Sequence, residues 1–209
     1  MVTADKKPVI WLGAGGHASV LIDALSNSDI TILGVADPRY LVGEIVYGTS
    51  VLGADEAVLQ YSPADVVLVN GIGMVDHNNV RREVTKKMQS YGYTFLTIVH
   101  PKAIVSDSVE LGEGVQIMAG AVVQPGTKIG SDSIINTGAL VDHDCVIGSG
   151  CHICPGVTLA GSVNVGNEVM VGSGSTVLPG IKIGSHSVVG AGSTLQRNVE
   201  PGITMIQRH

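Results

Sequence analysis

From Val105 onward every sixth residue is aliphatic. The series runs Val105, Leu111, Ile117, Val123 and so on to Leu195, sixteen positions without an insertion. Neither a helix, with its 3.6-residue period, nor an alternating strand produces that spacing. A period of six is the signature of a parallel β-helix, in which each hexad supplies one short strand and a turn. Three hexads make one triangular coil, so residues 18 apart stack one above the other. The large aliphatic residue points inward and meets its counterpart about 4.8 Å away, one strand spacing up. Gly often follows it, as in Gly112, Gly130, Gly148 and Gly166. Such glycines are expected at corners, where they permit backbone angles that a Cβ would obstruct.

Residues 1–100 follow another grammar. Val9–Leu12 is a buried-strand run, and Gly13-Ala14-Gly15-Gly16-His17 follows it. Ala18 to Leu25 then has helical spacing. Further strands are predicted at Ile30–Val35, Asp65–Asn70 and Thr94–Val99, with a helix at Arg81–Ser90. Alternating strands and helices imply a small parallel α/β domain. The fold class expected is therefore an α/β N-terminal domain, Rossmann-like, over 1–100, with a β-helix over 101–209.

Composition fits thin stacked layers, since aromatic residues are 3% of the chain and glycines number 28. The net charge of −6 comes with no basic block, which argues against nucleic acid as a partner. No apolar stretch reaches the roughly 18 residues of a membrane span, and the N-terminus does not read as a signal peptide. Three cysteines are an odd count for a disulfide framework and fit a reducing cytoplasm.

Three groups of residues could carry chemistry. Gly13-x-Gly15-x-x-Ala18 lies between a strand and a helix, and Asp37 ends the next strand, where a ribose-binding acid is expected. Amides at such a helix start attract phosphate. An NAD-dependent dehydrogenase would need a second mononucleotide half, for which 100 residues are too few. His17 either starts the helix with its ring in solvent or faces the pocket. In the β-helix, His143 stands two places after the inward Val141, between Asp142 and Asp144. A carboxylate beside an imidazole holds one tautomer and raises its basicity, which suits a general base, although an exposed histidine with acidic neighbours is more often merely solvated. Gly161 lies 18 residues on, one coil above, where its N–H could hold an oxyanion. His152 lies half a coil away and could meet His143 only across a subunit interface. Cys145 and Cys151 occupy the small inward position, which argues against a Cys/His metal site through Cys154, so no metal is expected.

The Gly-Ala-Gly-Gly-His turn, the unbroken hexads and the segment Ile-Ile-Asn-Thr-Gly-Ala-Leu-Val-Asp-His-Asp-Cys resemble the sugar O/N-acyltransferases over nearly the whole chain. That family includes UDP-4-amino-sugar and GDP-perosamine N-acetyltransferases and sialic acid O-acetyltransferases. The resemblance implies a left-handed β-helix and a homotrimer with acetyl-CoA lying between subunits. It implies an N-acetyltransferase acting on a nucleotide-linked 4-amino-4,6-dideoxy sugar, UDP-linked in the first instance. By motif match His143 is the base, Asp144 orients it, His152 contacts the acetyl group from an adjoining chain and Gly161 holds the oxyanion. Asn136 would line the sugar pocket. Gly13, Gly15, Gly16, His17 and Asp37 would bind the nucleotide-sugar, while Lys182 and Arg197 would meet the coenzyme's phosphates. Where some relatives carry two consecutive acids this chain has Asp37-Pro38, and Asp144 replaces a Glu found in others. The alternatives are O-acetylation of a sialic acid or similar sugar, and a non-catalytic β-helical scaffold or nucleotide-sugar sensor.

Overall fold

The computed structural model describes residues 7–25, 28–74 and 80–205, so His77 and His209 lie outside the described residues. The chain divides into two compact units, one ending at Leu96 and the other beginning at Thr97.

The first unit runs β1 (Val9–Leu12), α1 (Gly16–Leu25), β2 (Ile32–Ala36), β3 (Ile45–Val46), β4 (Thr49–Gly53), a 3-10 turn over Asp55–Gln60, β5 (Val67–Asn70) and α2 (Val80–Ser90). The sheet order is β3-β4-β2-β1-β5, parallel except for the β3–β4 hairpin. Ile10, Leu12, Leu68, Met88 and Phe95 form the core of one face. Two features depart from the sequence expectation. No strand is predicted between Val35 and Asp65, yet a hairpin forms there on Tyr47 and Gly48, both at positive φ, the geometry a two-residue turn requires. The strand predicted over Thr94–Val99 is split. Phe95 makes one isolated bridge to Leu68, whereas Ile98–Val99 pairs with Gln116–Ile117 in the second unit.

The second unit is a parallel β-helix. Three sheets of six, five and seven two-residue strands form its walls, and every aliphatic residue of the period-six series ends one of those strands. Ile135, Val141, Ile147, Ile153 and Leu159 belong to a single buried cluster. Burying each such side chain is worth about 1.5–3 kcal/mol, and all are slim enough for a narrow prism.

The corners use glycine in two different ways, which revises the sequence reading. Glycines directly after the inward residue are needed for close approach rather than for their torsion. A methyl on Gly112 would lie 2.6 Å from the Ser131 nitrogen, and one on Gly130 2.5 Å from that of Ser149. Positive φ falls two places later and recurs every sixth residue from Gly114 to Gly192. Most of those positions are Gly. Asp132, Asp144, Ser162, Glu168 and His186 are not, although each has φ between 56° and 62°. A side chain there costs about 1–3 kcal/mol of strain, so Asp144 is kept against a local preference.

The small inward residues form a ladder that the sequence reading did not anticipate. Thr127, Ser133, Cys145, Cys151 and Ser175 each donate to a carbonyl fifteen residues on. Hydroxyl and thiol are thereby interchangeable at that step of the coil. All three cysteines are unbridged and buried, and burial pushes the Cys151 and Cys154 thiols up to about 11. Since the thiolate is the reactive form, the native protein is expected to ignore a disulfide reagent at pH 8 and to release three equivalents of chromophore only on unfolding.

Candidate functional site

In the first unit a cavity of about 660 Å³ opens at the carboxyl ends of the strands, walled by Gly13, Gly15, His17, Asp37, Arg39 and Asp55 among others. Ligands of open α/β sheets bind at this edge. Gly13, at φ 83°, brings the β1–α1 turn against Ile72, and a methyl on Gly71 would strike both Ala18 and the Gly13 carbonyl. The opposite lip, Gly71-Ile72-Gly73, is fixed from behind. Buried Asn70 donates to the Arg81 carbonyl and Thr85 and accepts from the Ile72 amide, while Arg81 donates to the Asn70 and Ile72 carbonyls.

Asp37 is only 2% exposed. Its Oδ1 accepts from the Arg39 amide at 3.0 Å and from Arg39 Nε at 2.9 Å; its Oδ2 accepts from the Ala14 amide at 2.8 Å and from the Arg39 terminal nitrogen. Burial alone would raise this carboxyl, but the Arg39 and Ala14 hydrogen bonds outweigh it and hold it below the usual range. Arg39 is otherwise 62% exposed and lies against the Tyr40 ring. Sequence reasoning overlooked both Arg39 and Asp55. Their place just beyond the ends of β2 and β4, three and two residues on, was the available signal.

In the second unit the strand register Val141↔Leu159↔Val177↔Leu195 sets one corner column. Two places beyond each partner stand His143, Gly161, Pro179 and Arg197. His143 Nδ1 lies 2.8 Å from Asp144 Oδ2. The ring therefore donates from Nδ1 and keeps its lone pair on Nε2. A methyl on Gly161 would lie 2.7 Å from that Nε2, so the glycine opens the space the imidazole uses. Asp142 Oδ1 accepts the His143 amide. One coil up the matching residue is Ala160, which offers no acceptor, and among the described residues none meets the Gly161 N–H. Beneath, a methyl on Gly126 would collide with the Asp144 carboxylate. The 18-residue spacing from His143 to Gly161 was read from the sequence, whereas that from Gly126 to Asp144 was not. The imidazole is 59% exposed.

The hydrogen bond to Asp144, followed by the charge of Asp142, raises the His143 pKa above its ordinary value. A base must be neutral to act, so an activity that depends on it is lost as pH falls through that raised value. For a reaction in which His143 accepts the proton, Asp144→Asn is expected to move the acidic limb of kcat/KM to lower pH. A pH–rate profile of the two proteins checks this.

Asn136 and His152 come together along the seven-stranded sheet. The Asn136 oxygen accepts the Thr137 amide at 2.7 Å, which turns its NH₂ toward His152 Nε2 at 3.0 Å. That nitrogen is then the acceptor, and the His152 proton sits on Nδ1. Lys182 projects from the five-stranded sheet rather than from the His143 column. Both Lys182 and Arg197 are exposed.

Comparison with known proteins agrees with both halves. Residues 8–88 match the PglD N-terminal domain, and residues 108–143, 126–161 and 162–197 match the bacterial transferase hexapeptide (six repeats). A histidine-to-asparagine variant of perosamine N-acetyltransferase from Caulobacter crescentus, in complex with CoA and GDP-perosamine, superimposes with TM-score 0.88 at 37% identity, covering 96% of this chain and 93% of that one. The acetyltransferase domain of PglB from Neisseria gonorrhoeae FA1090, in complex with acetyl coenzyme A, gives 0.84 at 32% identity, with 96% of each chain covered. UDP-N-acetylbacillosamine N-acetyltransferase of Bacillus subtilis (strain 168) is 37% identical over 119 residues, which are 54% of this chain and about half, 52%, of that relative.

A left-handed β-helix with a histidine–carboxylate pair at its corner thus defines the class, and the chain belongs to the left-handed β-helix family of sugar acetyltransferases. Within it, the chain has a PglD-type N-terminal domain and is similar to sugar N-acetyltransferases.

Proposed function

We propose that the protein transfers the acetyl group of acetyl-CoA to the 4-amino group of a nucleotide-linked 4-amino-4,6-dideoxy sugar, with His143 as general base. The observation that carries this is the His143–Asp144 pair, with its basic Nε2 facing Gly161. The sugar amine attacks the thioester carbonyl carbon and yields its proton to Nε2. The oxyanion that forms accepts from the Gly161 N–H. The C–S bond then breaks, and the imidazolium returns the proton to the departing thiolate. No covalent enzyme intermediate is needed, because both reactants are held in place at once.

The site is completed by a homotrimer. His143 follows a strand of the six-stranded sheet and His152 lies within one of the seven-stranded sheet, so His152 and Asn136 of an adjoining copy face His143 across the seam. Coenzyme A runs along that seam. Arg197 stands three coils beyond His143 in the same column, roughly 14 Å at one strand spacing per coil, within reach of the coenzyme's phosphates. Lys182 is the second cation for them. The nucleotide part of the sugar sits in the Gly13–Gly16 cavity, where amides at the start of α1 meet the diphosphate and His17 lines the wall. The reaction belongs to the cytoplasm.

The nucleotide is uridine in the Bacillus relative's name and guanosine in the Caulobacter complex. Thiol release from acetyl-CoA with UDP-, GDP- and dTDP-linked 4-amino sugars, with mass spectrometry of the product, tests the assignment. Turnover with one of them and an N-acetyl product is expected; no thiol release with any of them, from a folded trimer of about 64 kDa (three chains of 21.5 kDa), would overturn it.

A further inference from the structure

The cavity of the first unit holds two carboxylates, Asp37 and Asp55, and they are not equivalent. A carboxylate has about four lone-pair sites. On Asp37 both oxygens are filled: the Arg39 amide and Nε donate to Oδ1, and the Ala14 amide, the Arg39 terminal nitrogen and, shared at 3.2 Å, the same Nε donate to Oδ2. Asp37 has no acceptor capacity left for a ligand. What it does is fasten the β2 end, and with it Arg39, to the glycine turn that follows β1, through the Ala14 amide.

Asp55 stands at the head of the 3-10 turn after β4 and caps nothing, since Ala54 precedes it without a side-chain cap bond. Among the described residues no donor reaches it; its surroundings act only through burial and through the charges of Glu56, Lys87 and Asp37. Lys87, the cation of that group, is bonded to Glu56 at 2.6 Å. Burial, then the Glu56 charge, pushes the Asp55 carboxyl up, so its ionised form opposes folding at neutral pH. An acid kept at a cost to stability in a cavity wall points to a ligand.

We propose that Asp55, not Asp37, is the carboxylate that accepts hydrogen bonds from the nucleoside of the bound nucleotide-linked sugar. This rests on the nucleotide reading of the cavity. Along the strand ends the order is the glycine turn on β1, Asp37 on β2 and Asp55 beyond β4, so Asp55 stands about two strand spacings, roughly 10 Å, from the phosphate end. Groups at that distance that offer two adjacent donors to a carboxylate are the vicinal ribose hydroxyls and the guanine N1–H/N2–H edge.

Titration calorimetry of the full chain with UDP, GDP and their 2′-deoxy counterparts, for wild type and Asp55→Asn, tests it. The variant is expected to keep or raise Tm and to bind about 10- to 100-fold more weakly, as for one charge-assisted hydrogen bond lost. Equal loss for UDP and GDP that vanishes with the deoxy ligands assigns the ribose; loss confined to the guanine nucleotides assigns the base edge. Unchanged or tighter binding of every ligand by Asp55→Asn overturns the proposal alone. A wild type that binds none of them overturns it together with the nucleotide reading. Asp37→Asn serves as the contrast, and is expected to lower Tm.

Discussion

Replacing His143 by alanine is expected to lower kcat for acetyl transfer by about 10²–10⁴-fold, the usual contribution of a positioned acid–base group. Tm should hardly move. The ring is exposed, and its one hydrogen bond is to its neighbour Asp144, while the backbone bonds that tie this corner to the coils around it, Asp144 N to Pro125 O and Ser162 N to His143 O, involve no side chain. KM for both substrates should stay within a few-fold, because the task proposed for the imidazole comes with proton transfer rather than binding. Steady-state kinetics alongside a thermal melt measure both. A variant that loses activity only in proportion to lost fold would refute the catalytic role.

Gly161→Ala is expected to cost about 10²-fold in kcat/KM, the scale of a misplacement near 1 Å. The added methyl would lie 2.7 Å from Nε2 and 2.8 Å from Cε1 of His143. The ring can escape only outward, by breaking its 2.8 Å bond to Asp144, so base and orienting carboxylate part together. Gly161 is not among the residues with positive φ, so alanine carries no torsional penalty, and the loss should appear in rate rather than stability. Wild-type turnover in Gly161→Ala would mean that the imidazole works from another position.

The solenoid was legible because periodicity is a global signal: sixteen aliphatic residues in phase outvote any local preference, and the same phase places His143 outside the core. The corner column was half legible. Adding 18 to 143 finds Gly161, and subtracting 18 from 144 finds Gly126, but only the coordinates reveal that each glycine is empty space claimed by a side chain of the next coil. Asp37 marks where position alone stops being informative. Its position matches a ribose-binding acid, yet whether a carboxylate is free depends on donors such as the Ala14 amide, 23 residues away. The β3–β4 hairpin was missed because Tyr47-Gly48 lacks the Asn-Gly or Asp-Gly dipeptide that announces such turns. Phe95 and Ile98 look like one strand in sequence, and only their separate partners, Leu68 and Gln116, divide them between units.

A crystal structure of the His143→Ala protein with coenzyme A and its amino-sugar nucleotide tests the central claim most directly. With the imidazole rebuilt in the position it holds beside Asp144, the sugar nitrogen should fall about 2.6–3.2 Å from Nε2, and the coenzyme sulfur should lie beside Gly161 at a seam between two chains. An amine bound at any other corner, or a sulfur remote from the His143–Gly161 column, would contradict the account.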